Sequence, residues 1–381
     1  MQKKISAEPA GESGELDYAA LTMKIKEFGR KLGFSAVGIA KAVVRRDAKQ
    51  RLARWLDRGD HGRMDYMAKN VDLRLFPEKL FPEVHSVISV RLPYWPAGAV
   101  PEEYALTRPE IAYVSRYALG RDYHKVVRSR LRRLANEIRR EIGVSQRGLP
   151  FVCRAFSDSA PVMEVEFACC SGIAWRGKHS LSVSREGSWH FLGELYTSLP
   201  LLPDPPAENH CGRCRRCVDA CPTGAISESG EIDARLCISC LTIEWRGAIP
   251  VGLRRSFGRR IYGCDDCQLA CPWNRFTKFG DAAFAVREGL DAARLVDIFA
   301  WSEAEFATRL SGSPIRRIGY ESWLRNIAVA LGNADETPKI RASLAARADH
   351  PSPLVREHAR WALGELDKRR DDDIALSRGS S

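Results

Sequence analysis

Cys211-Gly-Arg-Cys214-Arg-Arg-Cys217-Val-Asp-Ala-Cys221-Pro222 is the stretch that decides how the middle of this chain folds. A second run, Cys264-Asp-Asp-Cys267-Gln-Leu-Ala-Cys271-Pro272, follows it, with Cys237 between the two. A thiolate tetrad at this spacing holds a [4Fe–4S] cluster, and in two-cluster ferredoxins the last cysteine of a run serves the neighbouring cluster. The spacing therefore assigns Cys211, Cys214, Cys217 and Cys271 to one cluster, and Cys221, Cys237, Cys264 and Cys267 to the other. Each Cys-Pro step stops the local helix and turns the chain so that its cysteine can cross over. Zinc accepts CxxC pairs but leaves the interlocked CxxCxxCxxxCP pattern unexplained. Disulfides belong to secreted chains, and nothing in the sequence points to export. Two adjacent cubanes make a wire for single electrons.

The remainder of the chain is ordinary in bulk. At 381 residues it has room for two or three domains, and 45% hydrophobic with 28% charged residues describes a globular protein. The lead through Glu15 is polar, without an apolar signal core or a twin-arginine motif. No apolar run approaches the roughly 20 residues of a membrane span. The expectation is a cytoplasmic protein with no membrane partner. Net charge is +11. Arg254, Arg255, Arg259 and Arg260 lie between the cysteine runs, and Arg316, Arg317, Arg325, Lys339, Arg341, Arg347 and Arg356 are spread through the C-terminal segment. Such clusters can neutralise phosphates, which points to RNA.

Periodicity predicts a helix over Tyr18–Gly33, strands over Ala36–Ala40 and Val84–Leu92, and a long basic helix over Asp122–Ile142. The core stripe of that last helix is Val127, Leu131, Leu134, Ile138 and Ile142; Arg128, Arg132, Arg139 and Arg140 fall off it. Mixed elements up to about Leu202 argue for an α/β domain, and Leu201–Pro206, with three prolines, reads as a linker. Near the C-terminus, Ala330-Leu331-Gly332 recurs as Ala362-Leu363-Gly364, an offset of 32 within two alanine-rich segments, which suggests a short HEAT-like helical array. Upstream of the cysteines, Asp158-Ser-Ala-Pro161 precedes Gly172 and the Gly177-Lys178-His179-Ser180 run. Glycines between an acid and a Lys-His-Ser run suggest close backbone approach to a bulky ligand. From the residues alone, Asp158 reads first as a turn or helix-capping carboxylate ahead of Pro161.

Several segments together resemble the epoxyqueuosine reductase family. They include Ser115-Arg-Tyr-Ala-Leu-Gly-Arg-Asp-Tyr-His124, Asp158-Ser-Ala-Pro161, Trp175-Arg-Gly-Lys-His-Ser180, Phe191-Leu-Gly-Glu-Leu195, Leu241-Thr-Ile-Glu244 and Leu324-Arg-Asn-Ile-Ala-Val-Ala-Leu-Gly-Asn333. The likeness runs from about Tyr18 to Leu366. It implies α/β plus all-α architecture: a flexible extension (1–15), a cobalamin-binding catalytic domain (16–203), a ferredoxin-like two-cluster module (204–280) and a HEAT-like, tRNA-contacting portion (281–381). It implies reduction of epoxyqueuosine to queuosine at the tRNA wobble position, with cobalamin and two [4Fe–4S] clusters as cofactors. No protein histidine is expected beneath the cobalt.

By that resemblance the position of Asp158 donates a proton, and burial is expected to raise its pKa for the task. Asp158, Lys178, His179, Ser180, Ser182, Gly193, Glu194 and Asp265 are implied at the corrin, and Arg316, Arg317 and Arg325 are expected to hold tRNA phosphates. A low-potential donor such as ferredoxin or flavodoxin, and a monomer, complete the expectation. Cys240 stands where the family carries an aromatic and reads as a bystander; Cys153, Cys169 and Cys170 read as small buried side chains. The rival readings are a cobalamin-dependent reductive dehalogenase, a plain iron–sulfur electron carrier, and an RNA-binding protein with structural clusters.

Overall fold

The computed structural model describes residues 16–145 and 151–379, so the expected extension (1–15) lies outside the described residues. Four antiparallel strands form the central sheet in the order β1-β2-β4-β3: β1 (Ala36–Lys41), β2 (Ser86–Pro93), β3 (Cys153–Phe156) and β4 (His190–Thr197). The central pair, β2 and β4, is buried almost throughout because helices cover both faces. Helices α1 (Tyr18–Lys31) and α2 (Tyr123–Ser145) pack on Ile88, Val90 and Leu92. Helix α3 (Glu164–Cys170) packs its Phe167 on Val87 and Tyr196 on the opposite face.

Local chemistry explains these elements. Asp17 caps α1, its carboxylate accepting from the amides of Ala19 and Ala20. The α2 stripe Val127, Leu131, Leu134, Ile138 and Ile142 is buried as its 3.6-residue period requires. Each such side chain contributes about 1.5–3 kcal/mol relative to exposure. Gly193 lets α2 settle close to the sheet: a Cβ there would stand 2.6 Å from Val127 Cγ1 and 3.0 Å from Leu131 Cδ1. The Leu201–Pro206 segment is pinned rather than loose. The Asp204 amide donates to the Ile39 carbonyl, and its carboxylate accepts from the Ile39 amide at 2.8 Å.

The C-terminal part is helical: α4 (Tyr320–Asn333), α5 (Pro338–Ala345) and α6 (Pro353–Gly379). The two repeated segments lie on α4 and α6, which pack together; Gly332 permits the approach, since a Cβ would meet Trp361 at 2.7 Å. Their core takes in Val114, Leu119 and Ile261 from earlier in the chain, so these helices are not an isolated lobe. No described helix is long and apolar enough to cross a membrane.

Candidate functional site

A cavity of about 930 Å³ is walled by the α2 and α3 starts, the cysteine-rich segment and the Pro314–Arg317 turn. Tyr123, His124, Asp158 and Glu164 line it, and so do Cys221, Cys237, Cys264 and Cys267. None of Cys211, Cys214, Cys217 or Cys271 does. Cys240, outside either tetrad by spacing, lines the cavity as well.

Asp158 follows β3 in a left-handed turn, φ 57°. It does not cap α3, whose N-cap is Met163. Its amide donates to Glu164 Oε1 at 2.5 Å, and its carboxylate accepts from the Tyr123 hydroxyl and lies 3.3 Å from His124 Nε2. Tyr123 is held flat between Phe191 and His124, with ring centroids at 4.2 and 4.0 Å. The structure corrects the expected pKa. The Asp158 side chain is 57% exposed to the cavity, yet the surrounding protein still desolvates it and pushes it up. The bonds from His124 and Tyr123 and the charge of Arg317 outweigh this, so the carboxyl sits below its ordinary range. Burial works against protonation of His124, yet Asp122 and Asp158 raise it above the ordinary value. Arg317, which can only donate, stands 2.9 Å from the same Nε2, so that nitrogen is shared between a carboxylate and a guanidinium. Behind them, burial and the Asp158 charge push Glu164 up to about 8, and burial with the Glu164 charge holds Glu194 well above the carboxylate range.

Among the residues expected at a cofactor, His179, Ser180, Ser182 and Asp265 line the cavity; Lys178, Gly193 and Glu194 do not. The Lys178 backbone packs on Gly230, Gly193 packs under α2, and Glu194 stands behind Glu164, accepting from Ser89 Oγ at 3.1 Å. Gly193 and Glu194 lie on β4, set back from the opening, and Lys178 lies in the turn that leads to Ser182. His179 is buried, and burial lowers its pKa to about 4, so the ring is neutral. Its Nδ1 accepts from the Leu181 amide, leaving Nε2 buried without a partner. Ser182 Oγ lies 2.9 Å from His190 Nε2. Asp265, between Cys264 and Cys267, accepts from Tyr113 at 3.0 Å, Ser115 at 2.5 Å and the Arg116 amide at 2.8 Å. A wide cavity with a spare buried donor and a rigid acidic turn beside the cysteines fits a large polar-edged cofactor.

The cysteines of the two runs lie close enough to act on one another, within and across the two tetrads. Burial and then Cys271, Cys211 and Cys214 raise the Cys217 thiol. Burial and then Cys237, with Cys217 and Cys221 among the further causes, raise Cys267. Among the described residues no three His, Cys, Asp or Glu converge as for a single metal ion.

Several arginines expected on phosphates are committed elsewhere. Arg325 is completely buried: it donates to the carbonyls of Leu241, Trp245 and Gly247 and to Asn326, so it has no surface to offer. Arg254 is buried against Glu357, Arg255 pairs with Glu365, and Arg260 with Asp266. Arg259 and Arg347 donate to backbone carbonyls, as does Arg356. Arg316 is exposed, while Arg317 is half exposed and reaches Asp122 at 2.8 Å and His124 Nε2 at 2.9 Å. Sequence reasoning gave Tyr123, His124 and Glu164 no role; their signal was the Asp122-Tyr-His124 end of a quoted segment and the acid six residues after Asp158.

A paired-cysteine segment meeting a proton-handling site across one cavity defines an iron–sulfur oxidoreductase. Residues 210–274 match the 4Fe-4S double cluster binding domain, and residues 74–159 match the model described as "Epoxyqueuosine reductase QueG, DUF1730". The chain is 51% identical to an epoxyqueuosine reductase of Pseudomonas aeruginosa over 91% of its own length and 95% of the relative's. It is 48% identical to that of Escherichia coli over 94% and 93%. An epoxyqueuosine reductase solved with an epoxyqueuosine-modified tRNA-Tyr stem loop superposes with a TM-score of 0.82 at 26% identity, covering 92% of this chain and 91% of that one. A Bacillus subtilis epoxyqueuosine reductase with its catalytic aspartate loop swung out of the active site gives 0.79 at 25% identity, covering 92% and 91%. The chain belongs to the epoxyqueuosine reductase family.

Proposed function

We propose that this chain reduces epoxyqueuosine to queuosine at the wobble position of tRNA, the last step in making that nucleoside. The observation that carries the reading is the shared cavity: Asp158 lines it together with all four cysteines of the second tetrad. Turning an epoxide into an alkene takes two electrons and two protons and releases water, so electron and proton sources must meet at one place.

In this reading Cys211, Cys214, Cys217 and Cys271 hold the outer cluster, and Cys221, Cys237, Cys264 and Cys267 hold the one at the cavity. His179, Ser180, Ser182 and Asp265 would hold cobalamin. When bound, cobalamin supplies a metal that bridges single-electron delivery and chemistry at carbon. Asp158 faces the epoxide oxygen, Tyr123 orients its carboxylate, and a proton from His124 passes through Asp158 to the departing oxygen. Segments 16–203, 204–280 and 281–381 serve as the cofactor domain, the ferredoxin-like module and a HEAT-like tRNA support. The modified base is splayed from its loop to enter. Arg316 holds backbone phosphate, and Arg317 reaches from the same turn to the His124 pair. The electron donor is a low-potential protein such as ferredoxin or flavodoxin, and the enzyme works as a cytoplasmic monomer.

The test is anaerobic incubation with epoxyqueuosine-containing tRNA, cobalamin and a low-potential reductant, followed by nucleoside analysis. Queuosine is the expected product. Unchanged epoxyqueuosine, with both clusters and cobalamin loaded, would overturn the reading.

A further inference from the structure

The turn that carries Asp158 has few bonds of its own. Within it, the Ser159 amide donates to Ser157 O and the Val162 amide to Ala160 O; from outside, Arg128 reaches Ser159 Oγ at 3.4 Å. Yet Asp158 holds a left-handed backbone, φ 57°, which aspartate tolerates better than most residues but still at some cost. The bond on its amide goes to Glu164 Oε1 at 2.5 Å. Glu164 opens α3, and Glu194 of β4, near enough to interact with it, keeps its buried Oε2 without a hydrogen-bond partner. Glu194 is fully buried, accepts from Ser89 Oγ of β2, and pairs across the sheet with Ser89 and with Phe156 of β3. Two carboxyls this close in a desolvated setting do not both ionise readily, which favours a proton between them. Glu164 thus joins the backbone of Asp158 to a buried carboxyl anchored on Ser89 of β2.

We infer that Glu164 and Glu194 form a carboxyl latch that fixes the Asp158 turn, making them positioning residues for the proton donor. The inference rests on the reading of Asp158 as that donor. Without the Glu164 acceptor the Asp158 amide loses its partner, the left-handed turn relaxes, and the carboxylate leaves Tyr123 and His124. Neither glutamate needs to touch substrate for this. The conservative Glu164→Gln keeps an oxygen that accepts from the amide and a nitrogen that donates to Glu194, so it should keep the latch.

The experiment compares Glu164→Ala, Glu164→Gln and Asp158→Ala in the fully loaded enzyme, reading kcat, KM for tRNA and amide exchange across 157–163. Glu164→Ala is expected to speed exchange in the turn and lower kcat by about tenfold or more, with KM within about threefold, as misplacement of a reacting group does. Glu164→Gln is expected to keep slow exchange and at least about a third of wild-type kcat. Unchanged exchange in Glu164→Ala overturns the latch, as does loss of kcat in both Glu164 variants while the turn stays protected. If Glu164→Ala fails to fold, Glu164→Gln decides: slow exchange with turnover supports the latch, and fast exchange overturns it. Asp158→Ala reports separately. Wild-type turnover there sinks the donor reading, whereas turn exchange judges the latch by itself.

Discussion

His124 Nε2 lies 3.3 Å from the Asp158 carboxylate while Asp122 holds the opposite ring nitrogen at 2.8 Å. An imidazole between two carboxylates favours its charged form. Arg317 Nη1, 2.9 Å from the same Nε2, opposes that charge, and burial opposes it further; the two carboxylates prevail and the pKa lies above 6.5. The sign follows. A raised histidine contributes its stabilisation fully below the unfolded value and loses it as pH rises through the folded value.

Turnover that draws on the His124 proton should accordingly fall on the alkaline side, above pH 6.5. Asp122→Asn removes one of the charges that raise His124 and should move this limb to lower pH. Steady-state kcat against pH checks it; a limb that stays put or moves up contradicts the assignment.

Arg316 and Arg325 should separate cleanly. Arg316→Glu is expected to raise KM for tRNA more than it lowers kcat, and to flatten the salt dependence of binding by about one counterion. Affinity that ignores salt would contradict a phosphate role.

Arg325→Ala instead leaves the carbonyls of Leu241, Trp245 and Gly247 without their donor. At about 1–3 kcal/mol for each unsatisfied group, a loss of roughly 3 kcal/mol or more in stability is expected. Denaturant unfolding measures it, and wild-type stability would refute the buried role.

Cys240 also lines the cavity, but Cys237 completes the spacing-derived tetrad. Cys237→Ser is expected to lower iron from about eight to about four per chain, and Cys240→Ser to leave it unchanged. Iron and sulfide analysis of anaerobically prepared protein distinguishes the two; the opposite pattern would exchange their roles.

Features set by local spacing were legible in the chain. The cysteine runs, the α2 stripe and the strands around Ile39 and Val90 depend on neighbours a few residues away. What escaped was decided by partners far along the sequence. Arg325 looked like a phosphate ligand until Leu241 and Trp245 closed over it. Gly193 and Glu194 sat in a family motif, yet β4 turns one under α2 and the other behind Glu164. His124 acquires its meaning only when Arg317, from the C-terminal part, meets it across the cavity.

The most direct test of the account sets Asp158→Ala beside wild type under anaerobic conditions, both with full iron and cobalamin content, and follows epoxyqueuosine in tRNA by mass spectrometry of released nucleosides. Wild type should yield queuosine, and the variant should retain the epoxide with its cofactors still bound. Conversion by the variant at the wild-type rate would contradict the central claim that the reaction is finished at the Asp158 end of the cavity.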